Sequence, residues 1–281
     1  MYVSFTHKNN KFIGISEGGI RTSIICPNMN LMFDVGALPV DFAHIENLFL
    51  THAHLDHSAG IPYYVSQRSL RSLKPPNIYV PEENYENFLQ ILSIYQKMEG
   101  FDYKYNLIPA KRGVTYSISN SISMMPLETF HRVPSQGYTI YEKSMKLKDE
   151  YRSLVGTKLA DMKKEGVILT EEKLAPLVSF SGDTKIEYVL SHPDVANSKI
   201  LFLESTYLCE ERDVSRAREW GHLHLDEIAA NAHEFKNEKL VLIHFSKRYS
   251  LKRILELVKK KLPSDLFERT ICFIKGAPKI E

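Results

Sequence analysis

Three histidines and an aspartate lie within six residues of one another, directly after an apolar β-type run. The segment reads Leu50-Thr51-His52-Ala53-His54-Leu55-Asp56-His57-Ser58-Ala59-Gly60. Side chains alternate along a strand, so His52 and His54 face the same side, and a turn toward a helix near Gly60 brings Asp56 and His57 to the same place. Imidazole nitrogen and carboxylate oxygen are ligands that Zn²⁺ accepts. The spacing predicts a metal site at a strand end; the alternative is a polar loop with scattered histidines.

Four such ligands cannot saturate two metal ions, so further donors are expected at other strand ends. His131, Asp183 and His244 each follow an apolar or β-branched run. If Asp183 bridges, the first site is His52, His54, His131 and Asp183, and the second is Asp56, His57, His244 and Asp183. Two Zn²⁺ ions are expected, with Mn²⁺ as the alternative, because His/Asp sites take either ion. Such a pair activates a water for attack on a phosphoryl group.

Asp34 ends the strand that precedes the metal segment, in Phe33-Asp34-Val35-Gly36. Its carboxylate is expected to hydrogen-bond a ligand imidazole or the loop backbone and so to orient the ligands. A turn-forming Asp before Gly is the competing interpretation.

Composition excludes several classes of protein. With 43% hydrophobic and 25% charged residues, the 281-residue chain is neither disordered nor fibrous. A net charge of +2 excludes a basic field over the whole protein. The longest apolar runs are too short to span a bilayer, the N-terminus predicts no secretory signal, and three unpaired cysteines indicate a reducing compartment. We therefore expect a cytoplasmic protein with no membrane association.

The order of short apolar runs and helical periodicities predicts an α/β fold of one domain, residues 1–281. Two sets of β-type runs are separated by helical stretches, which favours a layered sandwich with the helices outside. The predicted strands are Thr22–Cys26, Leu31–Val35, Asn47–Thr51, Asn77–Val80, Thr115–Met125, Ile200–Glu204 and Lys239–His244. The predicted helices are Gly60–Leu73, Glu83–Met98, Leu225–Phe235 and Leu251–Lys261.

One segment, 143–177, interrupts this order because it is rich in charge and poor in large apolar side chains. Between positions 143 and 164 it has seven basic and three acidic residues, an excess of four positive charges against +2 for the whole chain. The basic residues are Lys143, Lys146, Lys148, Arg152, Lys158, Lys163 and Lys164. A solvated helical hairpin and an arm that binds phosphates are both compatible with this composition.

These motifs resemble those of the metallo-β-lactamase superfamily and, more narrowly, of the tRNase Z family. The superfamily motif is the His52–His57 segment. Five further stretches are similar to tRNase Z segments: Thr129-Phe130-His131-Arg132-Val133-Pro134-Ser135-Gln136-Gly137-Tyr138, Ser179-Phe180-Ser181-Gly182-Asp183-Thr184, Leu203-Glu204-Ser205-Thr206-Tyr207, Gly221-His222-Leu223-His224 and Ile243-His244-Phe245-Ser246-Lys247-Arg248-Tyr249. The 143–177 segment is similar to the family's flexible tRNA-binding arm, in the short form known from plants and some bacteria.

The resemblance implies a four-layer αββα sandwich with a protruding arm. It also implies an endoribonuclease that removes the 3′ trailer from pre-tRNA after the discriminator nucleotide, using a water activated by two metal ions, and a homodimer. Asp56 is then both a ligand and the group that orients the nucleophile, and His222, held by Glu204, donates a proton to the leaving oxygen. Ser246 and Arg248 are expected to contact a backbone phosphate, with a surface ion pair as the alternative for the arginine.

Three alternatives stay open at the level of sequence. His224 is a rival to His222 as proton donor, because both would face the same way on extended backbone. The same fold also serves hydrolases of other small ester, thioester or phosphodiester substrates, and a fold does not determine a substrate. A non-catalytic RNA-binding module is the third, although all seven ligand positions are filled.

Overall fold

The computed structural model of the protein describes residues 2–37 and 40–277, so positions 1, 38–39 and 278–281 of the predicted domain lie outside it. Two sheets are each formed by seven strands in the described part. The first sheet has its strands in chain order, antiparallel from β1 to β4 and parallel from β4 to β7. Its strands are β1 (Val3–His7), β2 (Asn10–Glu17), β3 (Arg21–Cys26), β4 (Leu31–Phe33), β5 (Asn47–Phe49), β6 (Asn77–Pro81) and β7 (Asn106–Ala110).

The second sheet repeats this arrangement. Its first four strands are antiparallel and its last four are parallel. Its strands are β8 (Tyr116–Ser117), β9 (Ile122–Glu128), β10 (Gln136–Leu147), β11 (Thr170–Phe180), β12 (Ile200–Glu204), β13 (Lys239–Ile243) and β14 (Thr270–Cys272).

Ten helices accompany the sheets within the described residues. They are α1 (Leu55–Ser58), α2 (Ile61–Leu70), α3 (Tyr85–Glu99), α4 (Gly156–Lys164), α5 (Glu187–Ser191), α6 (Pro193–Asn197), α7 (Val214–Glu219), α8 (Leu225–Ala230), α9 (Leu251–Lys261) and α10 (Ser264–Phe267).

Three apolar layers hold these elements together. Between the sheets, rings from both sides interdigitate, with Phe33 and Phe180 stacked at a centroid distance of 4.7 Å. The opposite face of the first sheet packs against α2 and α3, and the opposite face of the second sheet packs against helices that include α8 and α9. The strands are apolar on both faces because both faces are covered. In β5, for example, Leu48 faces the helices and Phe49 faces the other sheet, and both are buried. The predicted four-layer αββα sandwich is therefore confirmed.

Most predicted elements are present with slightly different bounds, but one predicted strand is wrong. Thr115–Met125 is a hairpin: β8 and β9 pair through Tyr116 and Met124, with a turn at Ser119–Ser121. Ser-Asn-Ser is a sequence typical of turns, and it outweighs the β-type residues on either side. The strands that were not predicted include β1 and β7, at the edges of the first sheet, and β2, between β1 and β3; the helix predicted at Leu225–Phe235 ends at Ala230.

The 143–177 segment is a β-ribbon that carries a helix, so the helical hairpin is wrong. Strands β10 and β11 continue their antiparallel pairing out to Leu147 and Thr170, past the point where their side chains become exposed. Helix α4 lies between them and buries none of its residues. The ribbon therefore extends the second sheet away from the core.

The ends of six strands converge on one edge of the sandwich. Strands β4, β5, β11, β12 and β13 belong to the parallel halves of their sheets, and β9 runs in the same direction as β11 because both are antiparallel to β10. The residues that follow these strands include Asp34, His52, His131, Asp183, Thr206 and His244. Polar side chains at the carboxyl ends of such strands meet in a common crevice.

Candidate metal centre

One group of donors comes from the loop after β5, the loop after β9 and the loop after β11. His52 Nε2 lies 3.1 Å from His54 Nδ1, and His54 Nδ1 lies 3.4 Å from His131 Nε2. Asp183 Oδ2 lies 3.6 Å from His52 Nε2. Tetrahedral zinc with bonds of about 2.0–2.1 Å separates its ligand atoms by about 3.3–3.4 Å. The four donors therefore have the spacing of a tetrahedral site.

A second group combines the start of α1 with the end of β13. His57 Nε2 lies 3.3 Å from His244 Nε2, and Asp56 Oδ2 lies 3.4 Å from His244 Nε2. The other oxygen of Asp183, Oδ1, lies 3.4 Å from His57 Nε2. Asp183 thus faces both groups, one oxygen toward each, as the sequence analysis expected of a bridging ligand.

Asp183 Oδ1 is a buried acceptor without a hydrogen bond among the described residues. Such an atom is costly unless a cation or a donor satisfies it. Burial alone would raise the pKa of Asp183, but the imidazoles around it, above all His244 and His57, hold that pKa well below its ordinary value. The carboxylate is therefore ionised, and the His/Asp donor set fits a metal ion.

Partners outside the two groups determine which nitrogen of each imidazole is free. His57 Nδ1 donates to Asp34 Oδ2 at 2.7 Å, and His131 Nδ1 donates to the Gly221 carbonyl at 2.7 Å. In both rings Nε2 is then the nitrogen that faces the donor cluster and is available to bind a metal ion. Burial lowers the pKa of His52 well below its ordinary value, which keeps that ring neutral as ligation requires.

Two threonine hydroxyls fix which nitrogen of His52 and of His244 carries the proton. The Thr51 hydroxyl donates to Asp34 at 2.9 Å, so it accepts from His52 Nδ1 at 3.0 Å. The Thr206 hydroxyl donates to Glu204 at 2.5 Å, so it accepts from His244 Nδ1 at 2.8 Å. Neither threonine was predicted from the sequence, although Thr51 is next to His52 and Thr206 lies two residues after Glu204.

Asp34 is placed as a hydrogen-bond acceptor beneath the metal loop. It is fully buried, and besides His57 it accepts from the Thr51 backbone N–H at 2.7 Å. Burial raises its pKa, which the imidazole of His57 partly offsets. The turn-forming interpretation does not describe this residue, since its side chain is occupied by the ligand segment.

Glu204 and His222 form a hydrogen-bonded pair beside the second donor group. His222 Nδ1 lies 3.0 Å from Glu204 Oε1, and the carboxylate is fully buried at the end of β12. Burial disfavours the charged imidazolium, but Glu204 outweighs it and raises the pKa of His222 to about 9. At neutral pH His222 is therefore a positively charged imidazolium beside the second donor group.

His224 faces away from this site. It is fully buried at the N-terminus of α8, where its Nδ1 accepts from the Asp226 N–H at 3.1 Å. Its Nε2 lies 3.3 Å from the Cys209 carbonyl, to which it donates. The two histidines do not face the same way, because the chain turns into α8 after His222.

A cleft of about 420 Å³ opens beside His222 and His244. Its walls include Thr206, Tyr207, Ser246 and Arg248. Arg248 is exposed and forms no ion pair with any described residue, so the part of the chain that the structure describes does not show the alternative surface ion pair. Its guanidinium lies on the wall of the cleft that His222 and His244 also line.

The predicted basic residues of the arm lie on the ribbon and on α4, away from the donor groups. Lys143, at the base, donates to Ser117 at 2.7 Å. Two others pair locally, Arg152 with Asp149 at 2.8 Å and Lys164 with Asp161 at 3.4 Å. Lys146, Lys158 and Lys163 are exposed.

The sequence of the chain is similar to those of known proteins. The profile of the beta-lactamase superfamily domain matches residues 28–245. The chain is 36% identical over 265 residues to tRNase Z TRZ1 of Arabidopsis thaliana, covering 94% of each chain. It is 38% identical to the chloroplastic tRNase Z TRZ2 of the same plant, covering 94% of this chain and 75% of that one.

Two solved structures share the fold. The metallo-beta-lactamase fold protein YhfI of Bacillus subtilis superposes with a TM-score of 0.63 at 15% identity, over 93% of this chain and 94% of that one. Human tRNase Z, short form, superposes with a TM-score of 0.55 at 18% identity, over 84% of this chain and 92% of that one. These likenesses concern the fold, whereas the plant relatives extend to the sequence, and the chain belongs to the tRNase Z family of the beta-lactamase superfamily.

Proposed function

We propose that the chain is an endoribonuclease that removes the 3′ trailer of pre-tRNA by hydrolysis after the discriminator nucleotide. The observation that carries this proposal is the Glu204–His222 pair, which lies beside a cluster of seven metal donors. A proton donor next to a metal centre is what cleavage of an unactivated phosphodiester requires, because the leaving sugar oxygen is strongly basic. The plant relatives named tRNase Z support the choice of substrate.

We assign two Zn²⁺ ions to the donor groups. His52, His54, His131 and Asp183 would hold one, and Asp56, His57, His244 and Asp183 the other. When bound, such a pair lowers the pKa of a water and withdraws charge from a phosphoryl oxygen. The orphaned Asp183 Oδ1 and the 3.3 Å approach of His57 Nε2 to His244 Nε2 support a cation within the second group. Mn²⁺ satisfies the same donors and is the alternative ion.

His222 is the proposed proton donor to the leaving 3′-oxygen of the discriminator nucleotide. It is part-exposed toward the cleft, it is charged at neutral pH, and Glu204 fixes its Nδ1 so that Nε2 carries the transferable proton. His224 lacks a free nitrogen for this role. Cleavage then leaves a 3′-hydroxyl on the tRNA and a 5′-phosphate on the trailer.

Asp56 is proposed to orient the attacking water as well as to bind metal. Its side chain is the more exposed of the carboxylates in the cluster, with 14% accessible against 3% for Asp183. It can therefore accept a hydrogen bond from a water at the mouth of the site. Ser246 and Arg248, on the wall of the adjacent cleft, are proposed to contact the phosphates that flank the scissile bond.

The ribbon and helix α4 are proposed to bind the tRNA body away from the cleavage site. Their exposed lysines and the local excess of positive charge suit phosphate contacts, which depend on charge and not on base sequence. None of the residues of α4 is buried, so its surface is available for such contacts.

We further propose a homodimer formed through the outer face of α3. Ile91, Ile94, Tyr95 and Met98 share one side of this helix at helical spacing, and all are exposed. An apolar stripe of this kind on a helix surface is a typical contact between subunits. A second copy of the chain suits it, because the stripe carries no charge that would require a complementary partner.

No helix among residues 2–37 and 40–277 has both the length and the apolar character needed to cross a bilayer. The three cysteines are free and buried, which favours a reducing compartment such as the cytoplasm.

An end-labelled, 3′-extended pre-tRNA tests the function. We expect a single cut after the discriminator base that needs metal, is lost with chelator and is lost in His54→Ala. A small phosphodiester such as bis(p-nitrophenyl) phosphate is assayed in parallel. Absence of the cut with hydrolysis of the small substrate intact would contradict the tRNA substrate and favour a small-phosphodiester hydrolase.

A further inference from the structure

The chain has one tryptophan, Trp220, and it lies between two arginines at the rim of the donor cluster. The Arg132 guanidinium carbon is 4.7 Å from the ring centroid, and that of Arg216 is 5.0 Å away. Both distances are within the range of a cation–π interaction. Arg132 directly follows the donor His131, and Trp220 precedes His222 by two residues.

Between them, the Gly221 backbone is packed tightly against the loop that carries His131. Its carbonyl accepts from His131 Nδ1 at 2.7 Å. Its φ is +74°, a left-handed conformation, and an added Cβ would lie 2.9 Å from His131 Nδ1 and 3.0 Å from the Arg132 backbone nitrogen. The two loops therefore contact each other without room for a side chain at this position.

The same short segment holds His222. Its backbone N–H donates to the Ala217 carbonyl at 2.9 Å, and its ring centroid lies 5.1 Å from that of His131. Any displacement of residues 220–222 relative to residues 131–132 would move a metal donor and the proton donor together. Trp220 is the side chain of this segment that reaches across to Arg132.

We propose that Trp220 is a positioning residue, which clamps the segment 220–222 onto Arg132 and thereby sets the separation of His131 and His222. The role given to His222 rests on the proposed function, whereas the role given to His131 rests only on the donor geometry. Trp220 acts through these two histidines, and it does not itself bind the reacting groups.

The test compares Trp220→Ala with Trp220→Phe, which keeps an aromatic ring for the arginines. Tyr2→Ala serves as the matched control, because Tyr2 is 43% exposed and Trp220 is 41% exposed, and Tyr2 lies just before the edge strand β1. Three quantities are measured: Zn²⁺ affinity by competition with a chromogenic chelator, kcat on bis(p-nitrophenyl) phosphate, and kcat and KM on pre-tRNA.

We expect Trp220→Ala to weaken Zn²⁺ binding about tenfold and to lower kcat on both substrates about 10- to 100-fold, the usual effect of losing support for a metal ligand. The KM for pre-tRNA should stay within about threefold, since no substrate contact is removed. Trp220→Phe should recover most of the loss, and Tyr2→Ala should match the wild type. Unchanged Zn²⁺ affinity and kcat in Trp220→Ala would overturn the proposal. A rise in KM alone would overturn it too, and would make Trp220 an RNA contact.

Two further measurements cover the case in which Trp220→Ala does not fold. Arg132→Gln removes the cation and keeps the tryptophan, and it should give the same losses. In the metal-free wild type, emission from this single tryptophan should change as Zn²⁺ is added and should saturate with binding; a flat trace would contradict the clamp. The metal titration needs no RNA, so failure of pre-tRNA cleavage in the wild type would refute the proposed function and leave this result interpretable.

Discussion

The Thr206 hydroxyl lies 2.8 Å from His244 Nδ1 and donates its own proton to the buried carboxylate of Glu204. The Glu204 carboxylate therefore supports the candidate metal ligand His244 through a threonine and the proposed proton donor His222 directly, at 3.0 Å. The proton on His244 Nδ1 is fixed by this arrangement, which leaves Nε2 free to bind metal.

Thr206→Val should weaken Zn²⁺ binding and lower kcat about 10- to 100-fold, because valine has a similar shape but cannot accept from His244. Calorimetric titration of the metal-free protein and turnover of a small phosphodiester measure the two effects. Thr206→Ser keeps the hydroxyl and should resemble the wild type. Equal behaviour of the valine and serine variants would show that the hydroxyl does not support His244.

The Glu204–His222 pair predicts the alkaline side of the pH profile. Burial disfavours the imidazolium, but Glu204 outweighs burial and raises the pKa of His222 to about 9. Since the donor acts in its protonated form, cleavage should persist up to about pH 9 and fall above it. Glu204→Gln removes the charge that raises this pKa, so the fall should move to lower pH.

Profiles of kcat/KM against pH on pre-tRNA check this prediction. His222→Ala should lose most activity across the range, and His233→Gln, at a histidine with 75% of its side chain accessible, should leave the profile unchanged. A Glu204→Gln profile that coincides with the wild type would rule out His222 as the group that titrates.

Asp34→Ala should destabilise the protein even without metal. The substitution leaves the buried Thr51 N–H and His57 Nδ1 without an acceptor. Each buried donor left unsatisfied costs about 1–3 kcal/mol, so for two donors we expect the free energy of unfolding to fall by about 2–6 kcal/mol. Urea unfolding of the metal-free protein measures this change, and Asp265→Ala, at an exposed carboxylate, is the control. A loss no larger than in the control would mean that Asp34 acts only on the metal loop.

Removal of the arm should abolish cleavage of pre-tRNA and spare hydrolysis of a small phosphodiester. Strands β10 and β11 pair Lys146 with Glu171, so residues 147–170 can be replaced by an Asn-Gly turn that joins the paired strands. The variant should lose pre-tRNA cleavage, because its phosphate contacts are gone, but should hydrolyse a small phosphodiester at the wild-type rate.

The salt dependence of pre-tRNA binding checks whether the arm contacts phosphates. Pre-tRNA binding by the wild type should weaken steeply as salt rises, through counterion release, and binding by the shortened variant should depend less on salt. Loss of both activities together would mean that the ribbon stabilises the sandwich.

The apolar face of α3 predicts the oligomeric state. Ile94→Glu with Met98→Glu places two charges in the stripe and should convert a dimer into a monomer, as measured by size-exclusion chromatography with light scattering. Ser93→Glu, on the opposite side of the helix, should leave the dimer intact. A wild type that is already monomeric would disprove the assignment of this face.

Much of the fold was predictable because its signals are local. The buried strands β4, β5, β12 and β13 are short apolar runs bounded by polar residues; the bounds of β12 are as predicted, and those of the other three differ by one or two residues. Strand β1 and its neighbour β2 were missed because only part of their surface is buried, so neither is a continuous apolar run. The hairpin at Tyr116–Met124 was missed because a two-residue strand has too few residues to show a period.

The donor set was predictable for a similar reason. His52, His54, Asp56 and His57 form one continuous segment, and His131, Asp183 and His244 each follow a strand. The sequence did not predict that His222 faces the donor groups while His224 faces away from them, because these orientations depend on where α8 begins. The structure shows His224 as the residue that caps this helix.

The sequence by itself determined which residues could bind a metal, since the residue types and their alternation along one strand are local properties. The tertiary structure decided which partners support them. The Gly221 carbonyl meets His131 across 90 positions of the chain, and Thr206 meets His244 across 38. Such contacts arise only when the strand ends are brought to one edge, because a hydrogen bond depends on distance and angle, and spacing along the chain determines neither.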